Sequence, residues 1–231
     1  TAKIAKKIGK KDQKIFLQKL GFYKKIELEI DETVIPLANR NNWSILETMT
    51  IGYGHGFAIT PLHLIKAYAS IMNDGYEVSP TLLINKNNKF NNKIVNASTS
   101  HTLKKLLRAV VMETEYTGPR IKIKGYDIGA KTGTAELIRS GKYDKNANRT
   151  TLVSIFPMTN PKYIILSMIE DPQKIKEENY SITAATVVAP LVKNIIINMI
   201  KILGIPSNEK NDAILKAGLH DNQFLNKYVT F

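Results

Sequence analysis

From Thr1 to Lys19 the apolar residues Ile4, Ile8, Ile15 and Phe16 recur at helical spacing, with an interruption near Gly9 and a stop at Gly21. Ile26, Leu28 and Ile30 then alternate with Glu27 and Glu29, which predicts a short half-exposed strand. Asn39 to Ser44 is a polar loop carrying the only tryptophan, Trp43, and Gly52-Tyr53-Gly54-His55-Gly56 is a glycine-rich turn. Thr60-Pro61 supplies a hydroxyl cap with proline at the first helical position. Leu62, Ile65, Ala69 and Met72 continue it as one apolar face, and Asn73-Asp74-Gly75 ends the helix. Asn85 to Asn96 is a polar excursion. Thr99 to Glu113 sets Leu103, Leu106, Leu107, Val110 and Val111 on one helical stripe, closed by Gly118-Pro119.

The final third changes period. Gly125 to Ile138, Thr150 to Phe156 and Tyr163 to Ile169 are strand-like, joined by a polar turn over Arg139 to Asn148 and by Pro157 to Pro161. Such short connections favour antiparallel neighbours, because a parallel crossover needs about a dozen residues or more. A helix over Thr183 to Leu203 follows, with Val188, Leu191, Val192, Ile195, Ile196 and Met199 facing inward. The expected class is α/β in the α+β sense: an antiparallel sheet flanked by helices, over residues 1–203, with a polar tail over 204–231.

Composition narrows the reading further. With 43% hydrophobic and 23% charged residues, 231 residues suffice for one or at most two globular cores. The most apolar stretch, Val187 to Leu203, is broken by Pro190, Lys193 and Lys201, so it reads as a core helix and not a membrane span. The first residues lack the apolar centre and cleavage site of a secretory signal, and a start at Thr inside a helical pattern is expected of a chain cut from something longer. The net charge of +13 is spread along the chain with no arginine–aromatic stripe, so no nucleic-acid partner is expected. The absence of cysteine excludes disulfides, thiolate metal sites and a cysteine nucleophile. His55, His63, His101 and His220 lack ligand spacing, and Glu113 and Glu115 sit off the apolar stripe, so no metal and no cofactor are expected.

The chemistry is carried by Lys131-Thr132-Gly133-Thr134. On a strand Thr132 and Thr134 point to one side, while Gly133 leaves the other side bare. Two hydroxyls, bare backbone and a neighbouring lysine suit an extended peptide with a terminal carboxylate. Such a tetrad arises by chance at a rate on the order of a few per cent in a chain this long, so its surroundings decide.

Those surroundings are Trp43-Ser44-Ile45-Leu46-Glu47, Ile51-Gly52-Tyr53-Gly54, Ala58-Ile59-Thr60-Pro61-Leu62, Ala67-Tyr68-Ala69 and Asn73-Asp74-Gly75, then Gly125-Tyr126, Ala130 to Ala135 and Glu170-Asp171-Pro172. In this order they resemble the C-terminal part of the transpeptidase domain of class B penicillin-binding proteins, especially the cell-division type, over roughly Thr1 to Leu203. The resemblance implies the transpeptidase and serine β-lactamase fold and a peptidoglycan stem peptide ending in D-Ala-D-Ala as substrate. It also implies β-lactams as mimics, other division or wall-synthesis proteins as partners, and work on the outer side of the cytoplasmic membrane. It gives Lys131 a catalytic role in the polar network, Thr132, Gly133 and Thr134 a substrate-binding role, and the Thr134 N–H one half of the oxyanion hole.

The departures are as informative. No Ser-x-Asn occurs, and the one Ser-x-x-Lys, Ser207 to Lys210, follows the Lys-Thr-Gly strand where the family's nucleophile precedes it. The reading is therefore an acceptor half-site whose nucleophile and Ser-x-Asn element fall upstream of Thr1. The alternative is a non-catalytic binding or assembly module that keeps the penicillin-binding fold.

Overall fold

The computed structural model describes residues 1–38, 43–84, 92–140, 142–173 and 181–207. The chain divides into two compact units, Thr1–Leu103 and Lys104–Phe231.

In the first unit, α1 (Ala2–Ile8) and α2 (Lys10–Lys19) are separated at Gly9, whose φ of 84° lies where a β-carbon is disfavoured. β1 (Leu37–Ala38) pairs antiparallel with β2 (Phe57–Ala58). Between these strands lies α3 (Ile45–Ile51), which packs on α1 and begins with a reciprocal cap: Ser44 Oγ accepts the Glu47 N–H at 3.1 Å, and Glu47 accepts the Ser44 N–H at 2.6 Å. The strand expected at Ile26 to Ile30 does not form. Alternation selects a face, but a strand also needs a partner ladder, and Glu29 instead turns outward to accept the Thr81 hydroxyl at 2.6 Å and the Leu82 N–H at 2.8 Å.

Helix α4 (Pro61–Met72) starts where Thr60 was expected to cap it, with Thr60 Oγ1 accepting the His63 N–H. Its buried line runs through His63, Ala67, Ser70 and Met72, whereas Leu62, Ile65 and Ala69 are only half-buried. Polar side chains can occupy this line because each is satisfied. The His63 ring, 1% exposed, meets Thr60 Oγ1 at 2.7 Å and the Lys24 carbonyl at 2.9 Å. Ser70 Oγ donates to the Lys66 carbonyl at 2.8 Å and accepts the Val78 N–H at 2.9 Å. Leu20, Phe22, Ala67 and Ile94 form the apolar core of this unit. Of the expected polar excursion, residues 85–91 lie outside the described residues, as do 39–42 of the loop before Trp43.

Helix α5 (Ala97–Met112) carries the boundary between the units; Leu107 and Val111 are buried, but Leu106, expected on the same stripe, is 58% exposed. After α6 (Gly118–Ile121) come β3 (Gly129–Arg139), β4 (Lys142–Phe156) and β5 (Tyr163–Glu170), an antiparallel sheet in the order β3-β4-β5. The polar turn expected over Arg139 to Asn148 is mostly strand. The hairpin passes a bulge at Glu136/Leu137 and runs on to Arg139, whose guanidinium ties the extended arm down by bonding Asp144 at 3.2 Å and Asp171, just past β5, at 2.7 Å. Hydrophobicity did not mark this arm because ion pairs hold it.

Helix α7 (Ala184–Leu203) is long and apolar enough to cross a membrane by length and composition alone. Its Val188, Ala189, Val192, Ile196 and Ile200 are instead buried in one cluster with Ala130, Leu152 and Phe156 of the sheet, as a core helix requires. Leu191, expected in that row, is exposed. The helix ends at Gly204 in the left-handed conformation, and the tail expected to follow lies outside the described residues from position 208.

Two expectations follow. Val34, Ile35, Leu37, Ile45, Leu46, Leu82, Leu83 and Ile84 of the first unit are exposed, Ile84 to 90%, and apolar surface on this scale drives association. Sedimentation velocity is expected to show concentration-dependent oligomers, and a dilute monomer with one sharp thermal transition would contradict this. The second concerns Glu77. Burial alone would raise its pKa, but hydrogen bonds from Lys66 and Asn92, with the charges of Lys66 and Lys24, hold it below its ordinary 4.5. A depressed carboxylate stabilises the fold above its ordinary pKa, and that contribution disappears as pH falls through the folded-state value. Glu77→Gln should therefore destabilise the chain at pH 7, by about 1 kcal/mol for this partly buried pair, and have no effect near pH 2, as urea unfolding at the two pH values would show.

Candidate functional site

The sheet register fixes where each predicted site residue lies. Lys131 pairs with Val153, Thr132 with Leu152, Gly133 with Thr151 and Thr134 with Thr150. Directly opposed residues share a face, so Thr132 and Thr134 lie with Ala130 and Leu152 on the face covered by α7, and Lys131 and Gly133 lie on the other. The lysine and the two threonines thus converge only along the outer edge of β3, which no strand pairs among the described residues. An edge with unpaired backbone groups is a template for another extended chain.

The four residues differ in what holds them. Lys131 is exposed, its ammonium donates to the Thr132 carbonyl at 2.6 Å, and among the described residues no carboxylate pairs with it. Thr132 is half-buried. Gly133 has no positive φ, and a Cβ built on it would meet nothing nearer than the Thr151 carbonyl oxygen at 3.9 Å. Nothing in the chain's own backbone geometry or packing calls for glycine there, although glycine weakens a strand interior.

Thr134 shows what the sequence did not reveal. Its hydroxyl accepts the Ala184 N–H at 3.1 Å, so the strand satisfies one of the four orphan donors at the start of α7. Beside it, Thr183 Oγ1 accepts the Thr186 N–H, Thr186 Oγ1 accepts the Thr183 N–H, and Tyr116 Oη lies 3.3 Å from Thr183 Oγ1. The Thr183-x-x-Thr186 spacing is a legible cap, but its neighbour 50 residues earlier is not. The arrangement leaves the Thr134 O–H proton available to donate while its oxygen accepts, and it brings the positive end of the α7 dipole against the strand that carries Lys131.

The remaining candidate groups have structural duties. Ser44 and Ser70 are engaged as described above. Ser207 Oγ donates to the Gly125 carbonyl at 3.1 Å, which occupies its hydroxyl away from the tetrad. His63 is satisfied, His101 lies 3.4 Å from Asp74 at the surface, Glu113 and Glu115 are exposed, and His220 lies outside the described residues. Among the described residues no group of three or more His, Asp or Glu is placed to hold a metal.

Comparison with known proteins places this geometry. The family profile described as penicillin binding protein transpeptidase domain matches residues 1–196. The chain belongs to the penicillin-binding transpeptidase family. Among curated relatives it is similar to the peptidoglycan D,D-transpeptidase FtsI of Buchnera aphidicola, 32% identical over 77% of this chain and 30% of the relative. It is also similar to the probable peptidoglycan D,D-transpeptidase PenA of Neisseria meningitidis, 27% identical over 94% of this chain and 36% of the relative. The chain thus spans about a third of the length of these transpeptidases. Among solved structures, the transpeptidase domain of Burkholderia pseudomallei penicillin-binding protein 3 covers 90% of this chain and matches over 62% of its own length, with a TM-score of 0.79 at 22% identity, which shows the fold. Penicillin-binding protein 3 of Mycobacterium tuberculosis, solved with aztreonam, is 25% identical with a TM-score of 0.74 over 90% of this chain and 50% of that one. The antiparallel sheet flanked by helices is therefore the transpeptidase fold of this family.

The Thr134 contact yields a direct test. Thr134→Val leaves the Ala184 N–H without its acceptor and should destabilise the chain by about 1 kcal/mol in urea unfolding, whereas Thr134→Ser, which keeps the oxygen, should cost less than half of that. Equal losses for both would mean that methyl packing, and not the hydrogen bond, holds the strand to α7.

Proposed function

We propose that the chain forms the carboxylate-binding side of a serine D,D-transpeptidase site that cross-links peptidoglycan stem peptides ending in D-Ala-D-Ala, working on the outer side of the cytoplasmic membrane. The observation that carries this reading is Gly133: a mid-strand glycine without positive φ or crowding, on an edge that no strand pairs among the described residues, beside a lysine with no carboxylate partner among them. A residue that the chain's own packing does not require makes sense if an extended ligand needs the space.

In this reading the stem peptide lies along β3 as an added strand. Its terminal carboxylate receives the O–H protons of Thr132 and Thr134 and the field of Lys131, reinforced by the N-terminal end of α7. Lys131 also serves the polar network that activates the nucleophile, and the Thr134 N–H stabilises the tetrahedral oxyanion, a duty whose loss typically costs ~100 to 1000-fold in rate. The serine attacks the penultimate D-alanine carbonyl, D-alanine departs with a proton, and the amine of a second stem resolves the acyl-enzyme. That serine, its lysine and the Ser-x-Asn element come from sequence outside these 231 residues, because no serine before Lys131 stands in either frame. Aztreonam in the Mycobacterium tuberculosis relative fits the same class of site, and β-lactams are the expected inhibitors here.

Intact-protein mass spectrometry after incubation with benzylpenicillin tests the assignment. The 231-residue chain should gain no penicilloyl adduct, while a longer chain carrying Ser-x-x-Lys and Ser-x-Asn ahead of Thr1 should gain one. Gly133→Val in the longer chain should abolish labelling without changing the cooperativity of unfolding. An adduct on the short chain would place the nucleophile among its own serines. A longer chain that never labels would favour the non-catalytic module.

A further inference from the structure

The bond from the Ala184 N–H to Thr134 ties the tetrad to a second group of hydroxyls at the start of α7. Ala184 is the first residue of that helix, and Thr183, in the extended region with φ of −138° and ψ of 163°, is its N-cap. The cap is reciprocal: Thr183 Oγ1 accepts the Thr186 N–H at 3.3 Å, and Thr186 Oγ1 accepts the Thr183 N–H at 3.0 Å. Thr186 Oγ1 also donates to the Ser181 carbonyl at 2.6 Å, which secures the chain just before the cap. From the turn before α6, Tyr116 brings its hydroxyl to 3.3 Å from Thr183 Oγ1. Arg120 holds that tyrosine in place, with its guanidinium 4.6 Å over the ring and a hydrogen bond to the Tyr116 carbonyl at 2.5 Å.

Helix α7 thus has a side-chain cap of its own, and the bond to Thr134 is additional to it. Its larger effect falls on the threonine. Thr134 is exposed, so packing does little to choose among the three staggered positions of its side chain. The Ala184 N–H chooses one, in which the oxygen accepts from the helix and the proton remains free to donate elsewhere.

We infer that Thr183 is a positioning residue for recognition of the ligand carboxylate, an inference that rests on the transpeptidase reading. By fixing the first turn of α7, it keeps the Ala184 N–H against Thr134 and the Thr134 hydroxyl in a single donating orientation. Tyr116 braces Thr183 from the neighbouring element. Loss of the cap frays the first turn, and Thr134 then spreads over as many as three staggered wells, diluting the productive one about threefold. The cost falls on the carboxylate and not on the oxyanion, because the backbone of Thr134 is fixed by its pairing with Thr150.

The test compares benzylpenicillin with its methyl ester, which lacks the negative charge, on the longer chain carrying Ser-x-x-Lys and Ser-x-Asn. The rate of penicilloyl gain is followed by intact-protein mass spectrometry. The unaltered longer chain should take the acid faster than the ester. Thr183→Ala should lower the acid-to-ester ratio by about threefold, and Thr183→Ser, which keeps the capping oxygen, should restore it. Tyr116→Phe, which deletes one oxygen and leaves the cap, should lower the ratio by a smaller factor. General loosening of the fold would slow both compounds alike and leave the ratio where it was. Equal rates for acid and ester in the unaltered longer chain would overturn the carboxylate-binding reading itself. A preference for the acid that Thr183→Ala leaves unchanged, or that Tyr116→Phe leaves unchanged should Thr183→Ala not fold, would overturn the role of Thr183 alone.

Discussion

A helix as apolar as α7 must bury its stripe, and the β3-β4-β5 sheet is where it does so. Val188, Ala189, Val192, Ile196 and Ile200 pack with Ala130, Leu152 and Phe156, and at roughly 25 cal/mol per Å² of apolar surface this contact dominates the second unit. Ala130 is two residues before Thr132 and on the same face. Once it is packed, the strand cannot slip by one residue without turning its whole face outward, so the positions of Lys131 to Thr134 follow from the burial of α7. The Thr134 to Ala184 hydrogen bond then closes the end of the same contact.

The first unit is organised differently. Its central helix buries His63 and Ser70 in place of leucine, and two hydrogen bonds on each make that tolerable. These bonds reach the Lys24 carbonyl and the Val78 N–H, so the chain segments before and after α4 are held by side-chain specificity as much as by apolar area.

Ion pairs serve the local structure of both units. The Lys66 and Glu77 pair and the Arg139 bonds to Asp144 and Asp171 neutralise charge and shape local structure. Lys131, by contrast, donates to the Thr132 carbonyl and has no carboxylate partner among the described residues.

By itself the sequence determined the helices α4, α5 and α7, the helix breaks at Gly9 and Gly21, the Thr60-Pro61 start of α4, the antiparallel three-stranded sheet and the Lys-Thr-Gly strand. Each of these is written in local signals: a glycine with positive φ, a cap, a short connection, a period. Tertiary structure alone decided that Ile26 to Ile30 would find no partner strand, that ion pairs would extend the β3-β4 hairpin through the expected turn, and that Leu106 and Leu191 would face outward. It also decided that Thr134 would cap a helix 50 residues away, and that the threonine face of the tetrad, and not the lysine face, would be the one covered by α7. The physical reason is common to all of them. Periodicity specifies which residues share a face, but which partner covers that face, and which donor meets which acceptor across it, depends on groups distant in the chain that are brought together only by folding.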